Sequence, residues 1–98
     1  MQDKETFVID IDNHLLFSKL ENGQYKIIDY DQEEIQLVNE KFDNGYRIIL
    51  YTGRSWGHYE VTKLQLENYN IKYDELVMGK PVGIYIDKES HKSLKDFK

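Results

Sequence analysis

Two aspartates one residue apart, Asp10 and Asp12, stand at the end of a strongly apolar run that begins at Phe7. The run is typical of a buried strand, and in open α/β sheets the carboxyl ends of the strands border the binding crevice. Carboxylates at such an edge can act as a nucleophile and as a proton donor or acceptor, provided that nearby cations offset their charge. The pair therefore predicts a chemical site at the edge of a sheet.

Three further strand ends carry polar residues that fit the same site. In chain order they are Thr52-Gly53-Arg54, Gly79-Lys80-Pro81 and Asp87. If the strands are parallel, their carboxyl ends meet at one edge, so these groups converge there with Asp10 and Asp12. Together they supply carboxylates, a hydroxyl and a lysine.

The elements that must position these groups follow from the alternation of apolar runs with helix-period segments, which is typical of an α/β fold with a mainly parallel sheet. Asn22-Gly23 is a strong two-residue hairpin signal, so we expect a β-hairpin flap after the first strand. Asp31 can cap a helix that runs to about residue 44, and a second helix is expected over residues 58–68 with Val61 and Leu64 inward. We expect strands at residues 7–11, 46–51, 76–78 and 82–86.

Length and composition narrow the class of protein. With 98 residues the chain is expected to form one domain, residues 1–98, and it contains no cysteine, which fits a reducing compartment. The net charge of -5 makes nucleic acid an unlikely partner, because phosphate backbones are held by clustered cations. No run is long and apolar enough for a signal peptide or a membrane span, so we expect a cytoplasmic protein with no membrane contact.

The ordered set of strand ends resembles the four motifs of the haloacid dehalogenase-like (HAD) superfamily of phosphotransferases. The matching segments are DIDNH at 10–14, YTGR at 51–54, GKP at 79–81 and YID at 85–87, which span nearly the whole chain. The detail of IDIDN and GYRIILYTGR resembles the small HAD phosphatases of bacterial capsule and sugar-nucleotide biosynthesis. The resemblance implies a Rossmann-like three-layer sandwich with no cap domain. It also implies a Mg²⁺-dependent phosphomonoester hydrolase that acts through an aspartyl-phosphate, on a small phosphorylated substrate such as a sugar phosphate.

The resemblance also implies a role for each site residue. Asp10 is the expected nucleophile, Asp12 the expected acid and base, and Thr52 and Lys80 the expected contacts to the phosphoryl group. The implied Mg²⁺ ligands are the Asp10 carboxylate, the Asp12 main-chain carbonyl and the Asp87 carboxylate. The candidate substrate-binding residues are Gly53, Arg54 and His14.

Two positions depart from the motifs. His14 stands where the family has Thr or Val, and Lys88 stands where a second aspartate is often found. A cation there weakens the field that holds a metal ion, so a catalytically impaired binding or regulatory domain remains an alternative. With no cap domain the site is open, which permits a third interpretation as a polynucleotide end phosphatase. The open site also permits closure by the hairpin or by a neighbouring subunit of a homo-oligomer.

Overall fold

A computed structural model of the chain describes residues 5–80. The elements in chain order are β1 (Thr6–Asp10), β2 (Leu16–Glu21), β3 (Gln24–Tyr30), α1 (Gln32–Asp43), β4 (Arg47–Tyr51), a 3₁₀ turn (Trp56–His58), α2 (Tyr59–Asn68) and β5 (Glu75–Val77). They form an α/β fold with a parallel three-stranded sheet and a separate two-stranded hairpin after β1. The predicted fold class is therefore confirmed, and residues 5–80 contain no cap domain.

The sheet has the order β1-β4-β5, with β4 in the centre and both pairings parallel. Alternate residues point to one face because side chains along a strand alternate with a period of two. On that face Ile9 pairs with Leu50, and Leu50 pairs with Leu76. All three are buried in the apolar core of the described residues. The three carboxyl ends of the strands consequently lie side by side.

The hairpin forms where the Asn-Gly signal predicts it. Asn22 and Gly23 both have positive φ, 52° and 76°, as a type I′ turn requires. This turn matches the right-handed twist of the flanking strands, which pair antiparallel from Leu16 with Tyr30 to Glu21 with Gln24. The hairpin thus lies between β1 and α1 in the chain.

Helix α1 begins at the predicted cap. The Asp31 side chain accepts a hydrogen bond from the Glu34 N–H at 3.0 Å, which satisfies one of the free donors of the first turn. Ile35 and Val38 are buried, as their helical spacing predicts. After Asn44, Gly45 takes a φ of 90°, a conformation that ends the helix cheaply only in glycine.

The inward face of α2 was predicted wrongly. Val61 and Leu64 are 37% and 55% exposed, whereas Thr62 and Leu66 are buried. The reason is that this helix faces a buried arginine, Arg54, whose N–H groups need hydrogen-bond acceptors. Two polar residues, Thr62 and Gln65, therefore face inward beside Leu66, while the apolar Val61 and Leu64 face outward.

The predicted fourth strand (residues 82–86), Asp87 and Lys88 lie outside the described residues. Among residues 5–80, no helix is both long and apolar enough to cross a membrane.

Candidate active site

The frame of the site is made by the loops after β4 and β5, which are joined by main-chain hydrogen bonds. The Lys80 N–H donates to the Thr52 carbonyl at 3.0 Å, and the Gly79 N–H donates to the Arg54 carbonyl at 2.7 Å. At the end of β5, the Thr52 N–H donates to the Val77 carbonyl at 3.0 Å. The two loops therefore bring Thr52 and Lys80 to the same edge of the sheet as Asp10.

Asp10 is the last residue of β1, partly buried and paired in register with Tyr51. Burial raises the pKa of its carboxyl above the ordinary value of 3.8, and the neighbouring Asp12 carboxylate raises it further. The opposing influences on this pKa are Lys80, His14 and a hydrogen bond from the Asp12 main-chain N–H, and they do not cancel the rise. Burial is thus the main cause of the raised pKa of Asp10, and Asp12 is the second.

Asp12 is held by two partners, one on each carboxylate oxygen. The Thr52 hydroxyl donates to Oδ2. Arg54 approaches Oδ1 with Nε at 3.1 Å and Nη2 at 3.0 Å. The Thr52 oxygen in turn accepts the Arg54 main-chain N–H at 3.1 Å, so the three residues form a closed set of hydrogen bonds.

Arg54 is 2% exposed, and its guanidinium is enclosed by partners from several elements. Nη1 donates to Thr62 Oγ1 at 3.1 Å and to Gln65 Oε1 at 2.6 Å, both on α2. From the hairpin, Ser18 Oγ lies 3.4 Å from Nη2, and the Tyr25 ring centroid lies 4.3 Å from Cζ. The residue expected to contact substrate is therefore inside the protein in this conformation.

His14 lies in the turn after β1, where its Nε2 is 3.0 Å from Glu34 Oε2. Glu34 is fully buried in the first turn of α1, while the His14 side chain is 18% exposed. The pair joins the site turn to α1. His14 is thus paired with a carboxylate twenty residues along the chain.

Lys80 and Gly53 complete the edge. Lys80 Nζ lies 3.4 Å from the centroid of the Tyr51 ring, a cation–π contact on the last residue of β4. Gly53 is exposed, and a Cβ built on it would lie 3.3 Å from the Lys80 carbonyl oxygen, so a larger residue would crowd the two loops.

An exposed aromatic residue stands beside this edge. Trp56 is 60% exposed, and its indole lies 3.5 Å from the position that a Cβ on Gly79 would occupy. Tyr59 supports the indole at a ring distance of 5.6 Å. The indole therefore presents a planar apolar surface next to Gly79, the residue that precedes Lys80.

Residues 5–80 contain no cluster of three His, Cys, Asp or Glu side chains that could hold a metal ion. Mg²⁺ is often bound by one or two carboxylates together with waters and substrate phosphate. The Asp10 carboxylate, at the end of β1, fits that mode of binding. The other predicted protein ligands are the Asp12 carbonyl and Asp87, and Asp87 lies outside the described residues.

The structure brings together Asp10, Asp12, His14, Thr52, Gly53, Arg54 and Lys80. Sequence reasoning missed the residues that surround them, namely Ser18, Tyr25, Glu34, Thr62 and Gln65. A signal was present for two of these, because Thr62 and Gln65 are three residues apart and lie on one helix face. No pattern in the sequence connects the hairpin residues with Arg54.

Comparisons with known proteins give a fold and no family. No family model matches the chain, and no curated protein matches it. A crystal structure of a structural-genomics target from Vibrio cholerae is similar, with a TM-score of 0.67 and 21% sequence identity. The alignment covers 94% of this chain and 86% of that one. At this identity the similarity shows a common fold alone.

Proposed function

We propose that the protein is a Mg²⁺-dependent phosphomonoester hydrolase that acts on a small phosphorylated substrate such as a sugar phosphate. The observation that carries the proposal is the arrangement of Asp10, Asp12, Thr52 and Lys80 at one edge of a parallel sheet. The resemblance of the same residues to the HAD motifs gives each of them a role. Either source alone is weaker, because isolated Asp-x-Asp pairs and lysines are common at strand ends.

The reaction follows from two carboxylates with different surroundings. Ionised Asp10 attacks the phosphorus, the bond to the leaving oxygen breaks, and Asp12, which enters this step protonated, donates its proton to that oxygen. Asp12 then takes a proton from a water molecule, which attacks the phosphorus and releases phosphate and free Asp10. Both Asp10 and Asp12 end in their starting protonation states, so the cycle balances.

Charge compensation explains why a metal ion is needed. The pKa of Asp10 is raised by burial and by Asp12, so the site resists a second negative group unless cations are added. When bound, Mg²⁺ supplies that charge and orients the phosphate oxygens. Lys80, whose positive charge lowers the pKa of Asp10, adds further positive charge to the site from the loop after β5.

The substrate class is inferred from the surface beside the site. The exposed face of Trp56 can stack on a ring, and sugar rings and nucleobases both present one. The net charge of -5 disfavours a polynucleotide, whose backbone needs clustered cations. A small phosphomonoester with a ring is therefore the substrate class that we favour.

The test is hydrolysis of a generic aryl phosphate with and without Mg²⁺. We expect phosphate release that requires the metal and that Asp10→Asn abolishes. Asp43→Asn is the matched control, because Asp43 is an exposed carboxylate paired with Lys72. Metal-independent release, or full activity in Asp10→Asn, would contradict the proposal.

A second candidate is a phosphatase-like binding domain without turnover. It is favoured by one observation: both oxygens of Asp12 and the hydroxyl of Thr52 are engaged with each other and with Arg54. Calorimetry with inorganic phosphate and Mg²⁺ would then give binding, while a panel of sugar phosphates would give no hydrolysis. Efficient turnover of any member of the panel excludes this candidate.

A further inference from the structure

We propose that Arg54 is a positioning residue that orients Asp12 for proton transfer and couples Asp12 to the β2–β3 hairpin. This inference rests on the proposed function, since it assigns Arg54 a role in the same reaction. It replaces the sequence-based expectation that Arg54 contacts the substrate.

The first step in the argument is the burial of the guanidinium. The Arg54 side chain is 1% exposed, and each of its three nitrogens has a protein partner. A side chain with no exposed surface cannot meet a substrate without leaving Asp12, Thr62 and Gln65. Arg54 therefore makes no direct contact with a substrate in this conformation, and the site residue that it touches through its side chain is Asp12.

The second step is the geometry at Asp12. Nε and Nη2 of Arg54 converge on Oδ1, while the Thr52 hydroxyl donates to Oδ2. A carboxylate held at both oxygens has a fixed plane. Proton transfer requires such control, because a general acid must lie within hydrogen-bond reach of the leaving oxygen.

The third step is the link to the hairpin. Tyr25 stacks on the guanidinium, Ser18 lies at Nη2, and Gln65 Nε2 donates to the Tyr25 carbonyl at 2.7 Å. Gln65 thus holds Arg54 through its oxygen and the hairpin through its nitrogen. Any displacement of the hairpin consequently moves the plane of the guanidinium and, with it, Asp12.

The chemistry also explains why the residue is arginine. Its planar fork of donors can meet Asp12, Thr62 and Gln65 at once, and it stacks on an aromatic ring. A lysine would carry the same charge at a single point. Arg54→Lys is therefore expected to behave like a loss of function, and it separates the effect of orientation from that of charge.

The experiment compares kcat/KM for two substrate types in the wild type, Arg54→Met and Arg54→Lys. Alkyl phosphates need a proton on the leaving oxygen, whereas p-nitrophenyl phosphate has a leaving group that departs without one. We expect kcat/KM to fall about 100-fold for the alkyl substrate, the lower range for losing a general acid, and less than about 10-fold for the aryl substrate. Arg47→Met is the matched control, since Arg47 is an exposed arginine paired with Glu75.

Variants of Tyr25 test the link to the hairpin. They also keep the proposal testable if the Arg54 variants fail to fold. Tyr25→Leu removes the stacked ring and is expected to give the same preference for aryl over alkyl substrates, in weaker form. Tyr25→Phe keeps the ring and is expected to leave the ratio of kcat/KM for the alkyl and aryl substrates as it is in the wild type. Thermal melts of each variant accompany the kinetics.

The outcomes are distinguishable. A leaving-group-selective loss in Arg54→Lys and Tyr25→Leu supports the proposal. Equal loss on both substrates, a rise in KM with kcat unchanged, or no change in any folded variant overturns it. Absence of metal-dependent activity in the wild type would instead contradict the proposed function, before any Arg54 variant is measured.

Discussion

Replacing Arg54 with methionine should destabilise the fold far more than the same change at Arg47. Both arginines pair with a carboxylate, but Arg54 is 2% exposed whereas Arg47 and its partner Glu75 lie on the surface. Arg54→Met keeps most of the volume and removes all five donors. The perturbation therefore tests what the buried network contributes to folding, separately from the role in catalysis that we propose for it.

The magnitude follows from the burial of the pair. Breaking a buried ion pair typically costs about 3–5 kcal/mol, because the remaining partner loses its compensation in a poorly solvated place. The Asp12 side chain is 26% exposed, so water recovers part of its solvation and we expect the lower end, about 3 kcal/mol. For a domain of this size that is a fall in Tm of about 12–24 °C. Arg47→Met should cost less than about 1 kcal/mol, as exposed ion pairs do.

Urea unfolding followed by circular dichroism measures both variants, and a double-mutant cycle with Asp12→Ala isolates the pair. We expect Asp12→Ala to cost less in the Arg54→Met background than in the wild type, with a coupling of about 1–3 kcal/mol. Equal losses for Arg54→Met and Arg47→Met, or strictly additive effects in the cycle, would refute the reasoning from burial.

Three further outcomes are expected. Because the pKa of Asp10 is raised on folding, the folded state binds a proton at this carboxyl more tightly than the unfolded state does. The protonated group therefore favours folding at pH values below the ordinary pKa of about 3.8, and this contribution is lost as the pH rises through the raised pKa of the folded state. Without metal, Asp10→Asn should therefore unfold at a higher urea concentration than the wild type at neutral pH, and the difference should vanish at acidic pH. A difference that stays constant with pH would contradict the raised pKa of Asp10 as its cause. Trp56 is the single tryptophan, so a ring-bearing phosphomonoester added to inactive Asp10→Asn should change its fluorescence while inorganic phosphate should not; equal responses would exclude stacking. Leu50→Ala should cost about 2–5 kcal/mol in urea unfolding, against little for the exposed Val8→Ala, because only the former opens a cavity in the core; similar losses would place the core elsewhere.

Local signals in the sequence predicted local structure well. Asn22-Gly23 fixed the hairpin because only residues tolerant of positive φ suit that turn, and Asp31 fixed the start of α1 because its carboxylate satisfies a free N–H. The convergence of Asp10, Thr52 and Lys80 was also predictable, since parallel strands place their carboxyl ends together.

The surroundings of the site were not predictable, for a physical reason. The inward face of α2 is decided by the acceptors that Arg54 needs, and apolar periodicity contains no information about a buried charge. His14 and Glu34 meet across twenty residues only because the turn after β1 lies against the first turn of α1. Long-range polar pairing of this kind depends on the tertiary structure and leaves no pattern in one sequence.

The main-chain hydrogen bonds between the loops after β4 and β5 have a consequence for the energetics of charge transfer. Because Lys80 N–H and Gly79 N–H are tied to the Thr52 and Arg54 carbonyls, the backbone that carries these groups is fixed before any substrate arrives. Dipoles and charges that are already oriented need little reorganisation when negative charge develops in a transition state. For the proposed phosphoryl transfer, the two loops would thus present groups that are already aligned, because their backbone is oriented during folding and not during each reaction.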